Sequence, residues 1–225
     1  MSLYLWIDLL ILLFPLSLSF DQKIAFFRQW PAVIPAILIT AVLFIIWDRI
    51  AFQRKDWWFN PRYIGKMRLF GLPLEEVLFF ITIPYACIFV YACVKGYFSP
   101  VSFSIPPILF WILAVLLITI ALVFRKRYYT FTLSLSAAFI LVLQTVLFQD
   151  SLTNSAFWIS LGITYIPFII SNGILTGIPV VEYNPAAILG IRVFSIPIED
   201  FLYSYGLLAM NFLLTDQFLK LFQIH

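Results

Sequence analysis

Two adjacent pairs of carboxylates, Glu75-Glu76 and Glu199-Asp200, each stand at the head of a long apolar stretch. Each pair follows a proline, in Phe70-Gly71-Leu72-Pro73-Leu74-Glu75-Glu76 and in Phe194-Ser195-Ile196-Pro197-Ile198-Glu199-Asp200. Proline suits the first turn of a helix, where a missing N–H costs nothing, so the acids fall in or just after a first turn. The plain reading is electrostatic, since the helix dipole favours anions there. The chemical reading is richer. Adjacent helical residues point about 100° apart, so one carboxylate of each pair can face a bundle interior while the other meets headgroups or an arginine. A carboxyl in apolar surroundings keeps its proton to unusually high pH, and an acid still protonated near neutrality can serve as a proton donor.

The two motifs are copies. Asn60, Pro61, Ile64, Arg68, Phe70, Pro73, Glu75 and Leu78 recur 124 residues later as Asn184, Pro185, Ile188, Arg192, Phe194, Pro197, Glu199 and Leu202. Glu76 becomes Asp200 and keeps its charge. The chain is therefore an internal duplication, and an acidic site is part of what was duplicated.

Composition excludes a soluble domain. Of the 225 residues, 63% are hydrophobic and 11% charged, against roughly 45–50% and about 25% in soluble proteins. A helix needs about 20 predominantly apolar residues to cross a bilayer. Seven such spans are predicted, near 3–20, 31–48, 73–94, 104–124, 129–148, 155–171 and 197–219. The sixth is short and stops at Ser171-Asn172-Gly173. Residues 3–20 lack the basic start of a signal peptide, and Asp8 interrupts them, so they read as a retained span.

At the repeat offset, spans one to three map onto five to seven, and span four has no partner. An odd number of spans per repeat, joined through one extra span, leaves both copies in the same orientation. The expected fold is thus an all-α membrane protein with about seven transmembrane helices, in two parallel three-helix repeats joined by one extra helix. The expected division is 1–103 for the first repeat, 104–124 for the connector and 125–225 for the second repeat. Ten basic residues, among them Arg54, Lys55, Arg68, Arg125 and Arg192, fall in loops on one side, and Lys23, Arg28, Lys95 and Lys220 on the other. That bias predicts a multi-pass protein of the cell membrane with its N-terminus inside, its C-terminus outside and both acid motifs at the cytoplasmic face.

Several neighbours could support the acids. Arg68 and Arg192, seven residues before the first Glu of each motif, are counter-charge candidates or ordinary positive-inside anchors. Asn60 and Asn184 either turn the loop with their prolines or hold a carboxylate. Asp48 and its counterpart Asn172 end spans two and six at the depth of the motif. Phe79, Phe80 and Tyr203 follow the acids by one turn, as packing or as π-faces for a developing cation. The single histidine, His225, leaves no His-based metal site or base. Cys87 and Cys93 read as apolar fillers of one span. No nucleotide, P-loop, zinc-protease or nucleic-acid signature is present, and no mid-helix lysine in span seven could carry retinal.

Two copies of Pro-(Leu/Ile)-Glu-(Glu/Asp)-x-Leu-(Phe/Tyr), each preceded by Asn-Pro and Phe on a short polytopic chain, resemble the membrane-integral lycopene cyclases in their fused, tandem-domain form. The second copy departs at Asp200, Tyr203 and Ser204. The resemblance implies a lycopene β-cyclase, an isomerase of carotenoid biosynthesis that closes the ψ-ends of lycopene into β-ionone rings. An acid protonates C2 of the terminal double bond, the C5–C6 double bond attacks the cation at C1, and a base takes the proton from C6. This implies Glu75, Glu76, Glu199 and Asp200 as catalytic groups, with Glu75 and Glu199 as donors and Glu76 and Asp200 as their partners or as proton acceptors. Asn60, Arg68, Phe70, Phe79, Phe80, Asn184, Arg192, Phe194 and Tyr203 are implied in supporting or cation-stabilising roles. No cofactor and no metal are expected. The expected partners are lycopene or a related linear carotenoid and the bilayer, without nucleic acid; self-association or assembly with other carotenoid enzymes stays open. A small proton-coupled transporter, revealed by pH-dependent flux, is one alternative. A carotenoid-binding protein that leaves its pigment unchanged is another.

Overall fold

The computed structural model describes residues 2–98 and 101–224, which leaves His225 outside. Among them are eight α-helices: α1 (Leu3–Leu18), α2 (Trp30–Arg54), α3 (Leu74–Tyr97), α4 (Pro107–Val123), α5 (Tyr128–Leu147), α6 (Gln149–Thr153), α7 (Ser155–Gly177) and α8 (Ile198–Leu221). A helix stands at each of the seven expected spans, and α6 is an additional short turn. Four helices are long and apolar enough to cross a membrane: α2 with the 3-10 turn before it, α3, α5 and α7. Two more, α1 and α4, are apolar but only 16 and 17 residues long. Helix α8 is long enough but less apolar, because Ser204, Asn211 and Thr215 occupy its buried face.

The sixth span differs from its expected length. Helix α7 continues past Ser171 to Gly177. The Ser171 and Thr176 hydroxyls donate to the carbonyls of Pro167 and Asn172, four residues back. Polar side chains satisfied on their own helix do not force it to end.

Six short strands complete the fold: β1 (Trp57–Phe59), β2 (Arg68–Leu69), β3 (Leu72–Pro73), β4 (Val181–Tyr183), β5 (Arg192–Val193) and β6 (Ile196–Pro197). The bounds of β1, β2, β3 and α3 become those of β4, β5, β6 and α8 when 124 is added. Strand β1 pairs antiparallel with its own copy β4, in the register Trp57↔Tyr183, Trp58↔Glu182 and Phe59↔Val181. The central pair, Trp58 and Glu182, are counterparts at the repeat offset, so the two strands are related by a local twofold, as in an isologous interface. The flanking bonds obey the same symmetry. Asn60 N–H donates to the Val180 carbonyl and Asn184 N–H to that of Asp56, each at 2.9 Å.

The seam brings the loops after α2 and α7 together at one end of the bundle. Beyond it, α2 packs on α8 and α3 on α7, and α1 covers α3 as α5 covers α8. At the far end Tyr91 and Phe212 stack with ring centroids 4.5 Å apart, and Asp216 accepts from Tyr91 Oη at 2.7 Å and from Lys95 Nζ at 2.9 Å. Phe212 and Tyr91 are buried, so Phe212→Ala opens a cavity beneath this contact. It should cost about 3–5 kcal/mol, read as a fall in the thermal unfolding midpoint of the protein in detergent.

Candidate active site

Each acid pair is aimed by a hairpin. In β2–β3, Arg68 faces Pro73 and Leu69 faces Leu72, with Phe70 and Gly71 as the two-residue turn. Both turn residues have positive φ, 55° and 86°, as tight primed turns require. Hairpin β5–β6 repeats the register, and there only Phe194 of the turn, at φ 56°, is left-handed. Pro73 and Pro197 end the last strands and precede α3 and α8 rather than entering them. Leu74 N–H donates to the Met67 carbonyl and Ile198 N–H to that of Ile191. The four acids are thereby fixed in the first turns of α3 and α8.

Within each pair the two carboxylates part. Glu75 turns toward its loop, where Oε1 accepts from Gly65 N–H at 2.7 Å and from the Ser2 hydroxyl. Glu199 does the same, accepting from Leu189 N–H at 2.6 Å and Thr130 Oγ1 at 2.5 Å. A Cβ at Gly65 would lie 2.8 Å from Glu75 Oε1, so the glycine permits this approach. Glu76 and Asp200 turn inward and line a cavity of about 310 Å³ between the two halves.

The two inward acids have different surroundings. Tyr4 Oη donates to Glu76 Oε2 at 2.7 Å, and Asp48 lines the same cavity as Glu76. Tyr203 Oη donates to Asp48 Oδ1 at 3.2 Å, and Asp48 Oδ2 is buried with no donor. In the other half the counterpart of Asp48 is Asn172. Asp200 accepts from Asn172 Nδ2 at 2.9 Å, Tyr129 Oη at 2.8 Å and Tyr183 Oη at 2.7 Å. Tyr183 lies on β4, and its burial and the adjacent Asp200 hold its phenol well above the usual range, so it remains a donor. Three groups that donate here satisfy Asp200 as an anion.

Cations are kept away. Among the described residues the ion pairs are Arg54–Asp56 and Lys95–Asp216, and no lysine or arginine lines the cavity. Asp8, one turn beyond Tyr4 on α1, is also buried, with neither oxygen partnered. Trp57, Phe79 and Tyr203 supply aromatic wall, and Phe44 and Trp47 pack on Tyr203.

The other expected residues stand around this centre. Asn60 accepts from Arg62 N–H and Asn184 from Ala186 N–H, so both asparagines shape turns and neither holds a carboxylate. Arg68 donates to the Gly65 and Met67 carbonyls and Arg192 to that of Ser195, and neither forms an ion pair with a motif acid. Phe70 and Phe194 are exposed hairpin tips, while Phe80 is buried behind the cavity wall beside Phe79. Tyr4, Tyr129 and Tyr183 had no signal in the repeat. The residue 124 positions after Tyr4 is Tyr128, which is exposed, and the tyrosine that does the equivalent work is Tyr129, one step further.

Buried carboxyls and phenolic donors thus meet inside an apolar helical frame, four of whose helices are long and apolar enough to cross a membrane. The chain matches the lycopene cyclase family over residues 1–94 and 126–218, most of its length, and it belongs to that family. No curated protein and no solved structure matches it. Membership supports an enzyme of carotenoid cyclisation, in carotenoid biosynthesis.

Glu75 and Glu199 bind loops rather than the cavity. Glu75→Gln or Glu199→Gln should weaken charge-assisted bonds and lower stability by about 1–3 kcal/mol, measured by thermal unfolding, with Glu76 and Asp200 still in place.

Proposed function

We propose that this protein cyclises the ψ-ends of lycopene, or of a related linear carotenoid, to β-ionone rings by redox-neutral acid catalysis. The observation that carries the reading is the cation-free cavity lined by the Asp48 and Glu76 carboxyls on one side and the hydrogen-bonded Asp200 on the other. A tertiary carbocation is the intermediate such a cavity suits: the anion and aromatic faces attract it, and apolar walls deny it water.

The reaction divides between the halves. The Asp48–Glu76 pair gives its proton to C2 of the terminal double bond, leaving the cation at C1. The C5–C6 double bond attacks, the C1–C6 bond forms, and positive charge moves to C5. A base then removes the C6 proton, and the C5–C6 double bond is restored. Asp200 is that base or the stabiliser of the charge at C5. One proton enters and one leaves, so no oxidant or reductant is consumed. Glu75 and Glu199 are assigned to holding the loops rather than to donating the proton, and Phe79 and Tyr203 to facing the cation.

The proposed setting is the cell membrane, with seven helices crossing it as two parallel three-helix repeats, 1–103 and 125–225, joined by α4. The clustering of basic loops supports an internal N-terminus and an acid site near the cytoplasmic face.

The test is pigment analysis in lycopene-accumulating cells. Wild type should yield γ- or β-carotene. Glu76→Gln, Asp48→Asn and Asp200→Asn should each lose about 10²- to 10⁴-fold in rate, and Glu75→Gln less than about tenfold on the same scale. Cyclisation at the wild-type rate by correctly inserted Glu76→Gln would refute the assignment.

A further inference from the structure

The cavity does not end at the acids. On α3 its lining continues from Glu76 to Val90, fourteen residues, and it is flanked by Leu10 and Phe14 of α1 and by Thr164 and Phe168 of α7. At 1.5 Å per residue that is about 20 Å along the helix axis, against a hydrocarbon core of about 30 Å. Helices α1 and α7 each pack on α3 rather than on one another, so the groove between them is open sideways. Its rim on α1 is exposed, Leu10 by 58% and Phe14 by 70%. The Thr164 and Ser171 hydroxyls are spent on their own helix, donating to the Leu161 and Pro167 carbonyls. No lysine or arginine lines this stretch to meet a phosphate headgroup.

From this we infer that the groove between α1 and α7 is a lateral binding slot for the polyene tail, through which one end of the substrate reaches the acids directly from the bilayer core. The inference rests on the proposed cyclisation for the identity of the occupant. Its geometry stands on the slot's continuity with the acid cavity and its apolar, lipid-facing rim. Because the slot leads to a single acid cavity, it admits one end at a time. A substrate with two reactive ends leaves and returns reversed, and the singly cyclised product is released between the two events.

The slot can be plugged away from the chemistry. Ala86→Trp fills its floor. Ile11→Trp narrows its half-buried wall, where the indole has lipid beside it and folding is little disturbed. Each variant, with wild type and Glu76→Gln, is purified from lycopene-accumulating cells, and retained polyene is read as visible absorbance per mole of protein. Cyclisation is assayed on lycopene and on a short prenyl chain bearing the same terminal end. Wild type and Glu76→Gln should retain polyene, and the tryptophan variants should retain less than a tenth as much. Those variants should lose activity on lycopene yet still cyclise the short chain. Polyene retained equally by Ile11→Trp and wild type overturns the slot, and so does wild type that holds only phospholipid. Polyene lost from the plugged variants with no cyclisation by any form upholds the slot and removes the proposed reaction.

Discussion

The pairing of β1 with its own copy is the constraint on which the site depends. Three residues from each half, centred on Trp58 and Glu182, bring the loops after α2 and α7 together at one end of the bundle. Each loop then turns through a hairpin into a helix whose first turn carries two acids. With the seam in place, the acids of both halves have one interior to face. Glu76 and Asp200 take their donors from their own halves, but one donor crosses: Tyr203 of the second half serves Asp48 of the first, and α3 of one half packs on α7 of the other.

A cluster of buried acids without cations is costly unless protons and hydroxyls carry the compensation. Tyrosine is well suited to this, being apolar over its ring and a donor at its tip. Tyr4, Tyr129, Tyr183 and Tyr203 all place the ring in the wall and the hydroxyl on an acid. A lysine or arginine in their place would hold the neighbouring carboxyls ionised. The arginines of the motif loops instead bond backbone carbonyls outside the cavity.

The fold was legible because its signals are periodic and long. Apolar runs gave a helix at each expected position, and the 124-residue offset placed β1, β2, β3 and α3 over their copies. Helix α7 outran its expected end because Ser171 and Thr176 are satisfied along the helix, a detail that hydropathy does not encode. The acids themselves were legible as a repeated motif, but which member of each pair faces the cavity was not. Adjacent residues must point apart, yet only the loop backbone, through Gly65 and Leu189, decides which carboxylate turns to the loop. The tyrosines were hidden because they come from distant elements and because the repeat slips by one residue between Tyr4 and Tyr129.

A strand paired with its own copy has no preferred side, and a perfectly symmetric pair of halves could not tell a donor from an acceptor. The exchange nearest the acids sets Asp48 against Asn172. A carboxyl lines the cavity beside Glu76, while an amide donates an N–H to Asp200. With Glu76 matched by Asp200 and Phe79 by Tyr203 as well, the two walls of a twofold scaffold are chemically unlike. Duplication supplies the vessel, and divergence at these positions gives it two different sides.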